Sequence, residues 1–184
     1  MGMPLQWTAE MARALPDDGK RYEVLDGELF VSASPRAPHQ RALRALYDRL
    51  SAYVKGAGVG EVFWSPADIE FSPRRLLQPD LFVAPFINGR PAAEWSQIRS
   101  LILAVEALSP STAYADRHRK RTIYMSEDVG EYWILDADAR VVERWRKGEA
   151  RPDILDEALL WQPTEAIPPL TVDLPLFFRE AHGE

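Results

Sequence analysis

Leu101-Ile102-Leu103-Ala104-Val105-Glu106-Ala107-Leu108 is the stretch on which the fold turns. Eight residues with a single charge among apolar neighbours read as a strand buried on both faces. Ser109-Pro110-Ser111-Thr112 breaks it, and one of these hydroxyls is expected to cap a helix over about 112–126. Two more strands follow at 132–135 and 141–145, so the centre of the chain reads strand, helix, strand, strand.

Working outward toward the amino terminus, 79–84, 68–72 and 61–65 read as strands. Before them, Leu43, Leu46, Leu50, Tyr53 and Val54 recur at helical spacing and give a helix over about 38–55 with one apolar face, ended by Gly56, Gly58 and Gly60. Two β-prone runs, Tyr22–Leu25 and Glu28–Val31, flank Asp26-Gly27, a strong hairpin signal. Thr8 is placed to cap a first helix that reaches Leu15. Asn88-Gly89 marks a turn, and a closing helix over 174–180 follows Pro168-Pro169. The expectation is an α/β (α+β) domain spanning 1–184, with a mixed central sheet flanked by helices.

Composition narrows the function. The 184 residues include no cysteine, which removes thiolate chemistry, cysteine zinc sites and iron–sulfur clusters. No stretch approaches the roughly 20 apolar residues of a membrane span. The first residues lack the basic start and long apolar run of a signal peptide, and Gln6 stands where a myristoylation signal wants Ser or Thr. A soluble cytoplasmic protein with no membrane partner is expected. The net charge of −6 opposes indiscriminate affinity for nucleic acid, although Arg117, Arg119, Lys120 and Arg121 concentrate positive charge around His118. Gly-x-Gly-x-x-Gly, phosphate-loop, His-Glu-x-x-His and Gly-x-Ser-x-Gly motifs are absent, so no nucleotide cofactor is expected. His39, His118 and His182 are too scattered to suggest a metal cluster.

The carboxylates carry the chemistry. Asp80 follows Pro79 at the start of Leu81-Phe82-Val83-Ala84, and Glu106 lies inside the most apolar run. An ionised carboxylate there is costly unless it is paired with a cation, either an arginine or a metal ion. If the two strands are neighbours, both acids can converge on Mg²⁺, which is commonly held by one or two carboxylates and several waters. Asp116, Lys120 and Tyr124 recur every four residues on the next helix. That spacing suits an intrahelical ion pair and equally a lysine directed at the end of the Glu106 strand.

Several pieces together resemble the Uma-two family of restriction-endonuclease-like proteins. They are Tyr22-Glu23-Val24-Leu25-Asp26-Gly27-Glu28-Leu29, Ser34-Pro35, His39, Gln78-Pro79-Asp80, the run from Val105 to Thr112, Asp116, Lys120, Tyr124, and the run from Val129 to Asp136. The resemblance covers about 20–145 and implies the PD-(D/E)xK nuclease fold. It implies that Asp80 and Glu106 hold a divalent metal, Mg²⁺ with Mn²⁺ as substitute, together with the Ala107 carbonyl. The superfamily's lysine two residues beyond the acid is here Leu108. Lys120 resembles the migrated replacement, and Glu23 matches a further acidic position in the pocket.

These readings predict a metal-dependent endonuclease acting on DNA, a homodimer by analogy with enzymes that cut two strands. Lys120, Arg121, Arg74 and Arg75 are expected to face nucleic acid. Asp116 is expected to position Lys120 from one turn away. His39 is read as a supporting residue that either caps its helix or faces the pocket. The aromatics of Glu131-Tyr132-Trp133 are expected to serve core and interface packing. The alternative is a nuclease-fold protein that binds nucleic acid or a protein partner without cutting, with exposed tryptophans as a possible partner surface.

Overall fold

Asp26 and Gly27 both adopt positive φ, 53° and 88°, as a two-residue primed turn requires. They join β1 (Arg21–Leu25) to β2 (Glu28–Ser32), with Leu25 opposite Glu28. The computed structural model describes residues 6–32 and 37–184. Ser34-Pro35 and the leader and myristoylation readings of the first five residues lie outside the described residues.

The hairpin extends through β5 (Arg75–Leu77) to β4 (Ile69–Ser72), giving a four-stranded antiparallel sheet in the order β2-β1-β5-β4. A helix, α1 (Ala9–Arg13), covers this sheet through Ala9, Ala12, Val24 and Leu76. Thr8 caps it by accepting from the Met11 N–H at 3.2 Å. The helix stops at Arg13 rather than Leu15.

The second sheet has six strands in the order β10-β9-β8-β7-β6-β3. They are β3 (Gly60–Trp64), β6 (Leu81–Pro85), β7 (Leu101–Ala107), β8 (Val129–Asp136), β9 (Val141–Arg146) and β10 (Asp153–Leu155). Only β7 and β8 run parallel, joined by the helical crossover that such a pair needs. All of β7 is buried except half-buried Ile102, as its apolar run dictates. A Cβ on Gly60 would stand 2.1 Å from the Ala84 carbonyl oxygen, so only glycine lets β3 close on β6. A small sheet of β11 (Ala158–Trp161) and β12 (Leu170–Asp173) leads into α4 (Leu174–His182).

The long helix α2 (Ala37–Ala57) buries Ala42, Leu43, Leu46, Leu50 and Val54 against one face of the six-stranded sheet. Phe177 and Phe178 of α4 and Trp161 of β11 join that core. Tyr132 and Trp133 are fully buried, on opposite sides of the sheet.

The structure corrects several boundaries. The expected mixed central sheet is the six-stranded one, and β1, β2, β4 and β5 pair among themselves as a further, antiparallel sheet. The strand read as 79–84 begins at Leu81, leaving Asp80 just before the ladder, where Pro79 has no N–H to contribute. The helix after β7 opens as a π-helical turn (Ala115–Lys120) and becomes α3 (Arg121–Ser126). Among the described residues no hydroxyl caps it. Ser109 bonds the hydroxyls of Ser111 and Thr112 at 3.1 and 3.0 Å, while backbone N–H groups of Thr112 and Ala113 donate to the Ser109 carbonyl.

Candidate active site

The register of β6 and β7, with Leu81 opposite Val105, sets Asp80 and Glu106 side by side at one end of the sheet. The Ala107 N–H donates to Asp80 Oδ2 at 2.9 Å, tying the two strand ends together. From the other sheet, alternation along β1 turns Arg21 and Glu23 the same way. The Arg21 guanidinium pairs with Asp80 Oδ1. His39, in the first turn of α2, faces the pocket rather than capping: its Nε2 lies 2.9 Å from Asp80 Oδ2.

The crossover helix supplies the rest. The π turn, in which the Arg121 N–H reaches back to the Asp116 carbonyl, keeps Asp116, Lys120 and Tyr124 on the side facing β7. Lys120 Nζ lies 3.1 Å from Glu106 Oε1, 2.9 Å from Glu23 Oε2 and 3.5 Å from Asp116 Oδ1. The Tyr124 hydroxyl donates to the same Glu106 oxygen at 3.1 Å. Glu23 Oε1 accepts the Gln78 N–H at 2.9 Å, one residue before Pro79-Asp80. Glu23, Asp80, Glu106, Asp116 and Lys120 are all at most 3% exposed.

Four buried carboxylates thus face Lys120, Arg21 and His39. Burial alone would raise Asp80, but His39, Arg21 and Lys120 outweigh it and hold this acid well below the usual carboxylate range. Glu106 goes the other way. Burial pushes it well up, Lys120 opposes, and the charges of Asp80, Asp116 and Glu23 add to the rise. Burial likewise pushes Asp116 up to about 6. Burial works against the Lys120 ammonium, yet Glu106, Glu23 and Asp116 keep it firmly protonated. Glu23 Oε2 and Asp116 Oδ1 face the ammonium without a well-directed hydrogen bond. The pocket is therefore an acidic, partly unsatisfied oxygen cluster, which suits a hard divalent cation. Among the described residues no three His, Asp or Glu side chains are arranged around a common ion position, so such a cation would rest on Asp80 and Glu106 with water.

The expected basic surface is not assembled around this pocket. Lys120 is enclosed by acids. Arg121 lies over the Trp145 ring at 4.6 Å. Arg75 pairs with Asp26 and Glu127, and Arg74 donates to the Asp26 carbonyl, both at the β1–β2 turn. Arg117 and Arg119 pair with Asp136, Glu143 and Glu28. Arg21 was not anticipated. Its signal was available in the alternation that turns Arg21 and Glu23 to one side of β1.

Two packed sheets with the paired acids at the ends of adjacent central strands and a lysine from the crossover helix define a restriction-endonuclease-like α+β protein. A family model, Uma2, described as "Putative restriction endonuclease", matches residues 9–176. The chain belongs to the Uma2 family. Its fold is similar to the crystal structure of "a putative nuclease belonging to DUF820 from Anabaena variabilis ATCC 29413", with a TM-score of 0.77. The two share 16% identity over 95% of this chain and 98% of that one. No curated protein matches the sequence. Among the described residues no helix is long and apolar enough to cross a membrane.

Proposed function

We propose that this protein is a metal-dependent endonuclease that hydrolyses phosphodiester bonds of DNA at the Asp80–Glu106 pocket. The observation that carries the reading is the side-by-side placement of these acids with the Lys120 ammonium 3.1 Å from Glu106. A divalent cation held by Asp80 and Glu106, Mg²⁺ or Mn²⁺, would supply Lewis acidity toward a phosphoryl oxygen and acidify a bound water. The chain's own groups do the remainder. Lys120, fixed by Glu23 and Asp116, orients the attacking water or offsets charge growing on the phosphoryl oxygens. His39 and the Ala107 N–H orient Asp80, and Tyr124 orients Glu106. Arg21 can exchange its carboxylate for a phosphate without leaving the pocket's rim, since guanidinium serves both.

The test is cleavage of a DNA library with Mn²⁺ by the intact protein and by Asp80→Asn and Glu106→Gln. Both variants lose all metal-dependent cleavage while keeping wild-type circular dichroism. Undiminished cleavage by both removes the assignment. A homodimer bringing two such sites to two strands is part of the same reading, and sedimentation velocity checks it.

The Arg21–Asp80 pair favours a second reading, a nuclease-fold protein that binds without cutting, because that guanidinium occupies the oxygen a metal would take. It predicts nucleic-acid binding in chelator and no cleavage in any metal.

A further inference from the structure

A cleft of about 140 Å³ opens beside Asp80, and Arg21, Gln40, Arg44, Tyr47 and Trp64 line it. Trp64, the last residue of β3, is 55% exposed. One exposed tryptophan is unremarkable by itself. This one stands at the mouth of the acidic pocket, held by the Tyr47 ring at 4.4 Å and 87°. Along the same face of α2 as Tyr47, Arg44 and Gln40 occupy successive turns. Arg44 is exposed and makes no hydrogen bond or ion pair with the described residues, unlike Arg75, Arg117 and Arg119. The Ser65 hydroxyl in the same cleft is buried and without a hydrogen-bond partner among the described residues.

From this juxtaposition we infer that the cleft binds one unpaired nucleotide of a polynucleotide, its base stacked on Trp64 and its phosphate held between Arg44 and Arg21 next to Asp80. The inference rests on the nuclease reading and names its substrate class. An aromatic face with a nearby guanidinium is the general device for holding single-stranded nucleic acid. The alternative, a duplex lying across the protein, needs a broad basic surface. The chain carries a net charge of −6, and the arginines of the 117–121 run are paired with acids or stacked. The small cleft admits one base-sized group and no groove-spanning element.

Fluorescence anisotropy in EDTA tests this with labelled oligo-dT, the matching oligo-U and a blunt oligo-dA·oligo-dT duplex, while Mn²⁺-dependent cleavage is followed in parallel. The single strands bind at least about tenfold more tightly than the duplex, and a gap between oligo-dT and oligo-U assigns DNA or RNA. Trp64→Ala loses about tenfold in single-strand affinity, within the range of one base–aromatic stack, and Trp64→Phe restores most of it. Arg44→Ala weakens binding to every single strand and lowers the slope of log affinity against log salt by about one. Equal affinity for duplex, or unchanged binding by Trp64→Ala, overturns the inference and leaves the nuclease reading to stand on cleavage. Binding with this pattern but no cleavage in any metal overturns the nuclease reading and keeps the cleft. No binding to any of the three overturns the inference outright.

Discussion

On one side of β7, Leu103, Val105 and Ala107 pack with Leu46, Leu50, Trp133, Trp161 and Phe178. On the other, Ala104 joins Phe82, Tyr124 and Tyr132, and the next residue on that side, Glu106, meets Lys120 and the hydroxyl of Tyr124. Both sides exclude water. The first is held by apolar contact that needs no particular partner geometry and does not respond to pH. The second stacks carboxylates whose mutual repulsion is relieved by one ammonium and one guanidinium, an arrangement that costs stability and makes sense as a site prepared for a ligand. A protein that spent only on folding would have continued the leucines across.

The sharpest way to break that contrast is Lys120→Met. It leaves Glu23, Glu106 and Asp116 buried without their cation. The expected cost at pH 8 is about 3–5 kcal/mol in urea unfolding, as for other buried pairs that lose one partner. At pH 5 the cost shrinks, because protonated acids need no counter-charge. On the apolar side, Leu50→Ala removes a fully buried side chain of α2 and costs about 2–5 kcal/mol. That cost is the same at both pH values. If the Lys120 variant is equally insensitive to pH, the two sides of β7 are not different in kind.

The same contrast explains how much could be read in advance. The helical face of Leu43, Leu46 and Leu50 was legible because burial and the helical period coincide there. Glu106 stood out as a charge in an apolar run, and the four-residue spacing brought Asp116, Lys120 and Tyr124 to one side of their helix, π turn included. Arg21 was missed because it sits beside Lys20 in a polar stretch, and its partner, Asp80, is distant in sequence and lies at the end of the other sheet. The short strands β5 and β10, Arg75–Leu77 and Asp153–Leu155, carry too few residues to show a period and form only because a neighbour offers its edge. The basic run 117–121 looked like one surface, yet Arg117, Arg119 and Lys120 turn to different acids around the helix and Arg121 to the Trp145 ring.

A smaller effect sharpens the electrostatic half. Asp116 titrates near 6 when folded against an ordinary 3.8. Between those values the folded chain keeps a proton that the unfolded chain has released, so its contribution to stability is full below about 3.8 and is lost as pH rises to about 6. Asp116→Asn removes this dependence. Relative to the parent, the variant therefore gains stability between pH 4 and pH 8, by up to about 3 kcal/mol for a shift of this size. Urea unfolding at the two pH values measures the difference, and equal differences would show that Asp116 is not strained by its neighbours.

The smallest expected effect concerns Arg119, which pairs at 2.7 Å with a Glu28 carboxylate that is largely exposed. Solvent screens such a pair, so Arg119→Ala costs less than about 1 kcal/mol and raised salt erases most of that. Its second use is as a control on the basic run. If these arginines served a nucleic-acid surface, removing one would lower oligonucleotide affinity and the salt slope together. Because Arg119 is committed to Glu28 and the Leu25 carbonyl, affinity and slope stay at the parent values while Arg44→Ala changes both. A drop with Arg119→Ala equal to that with Arg44→Ala would move the binding face from the Asp80 cleft to the crossover helix.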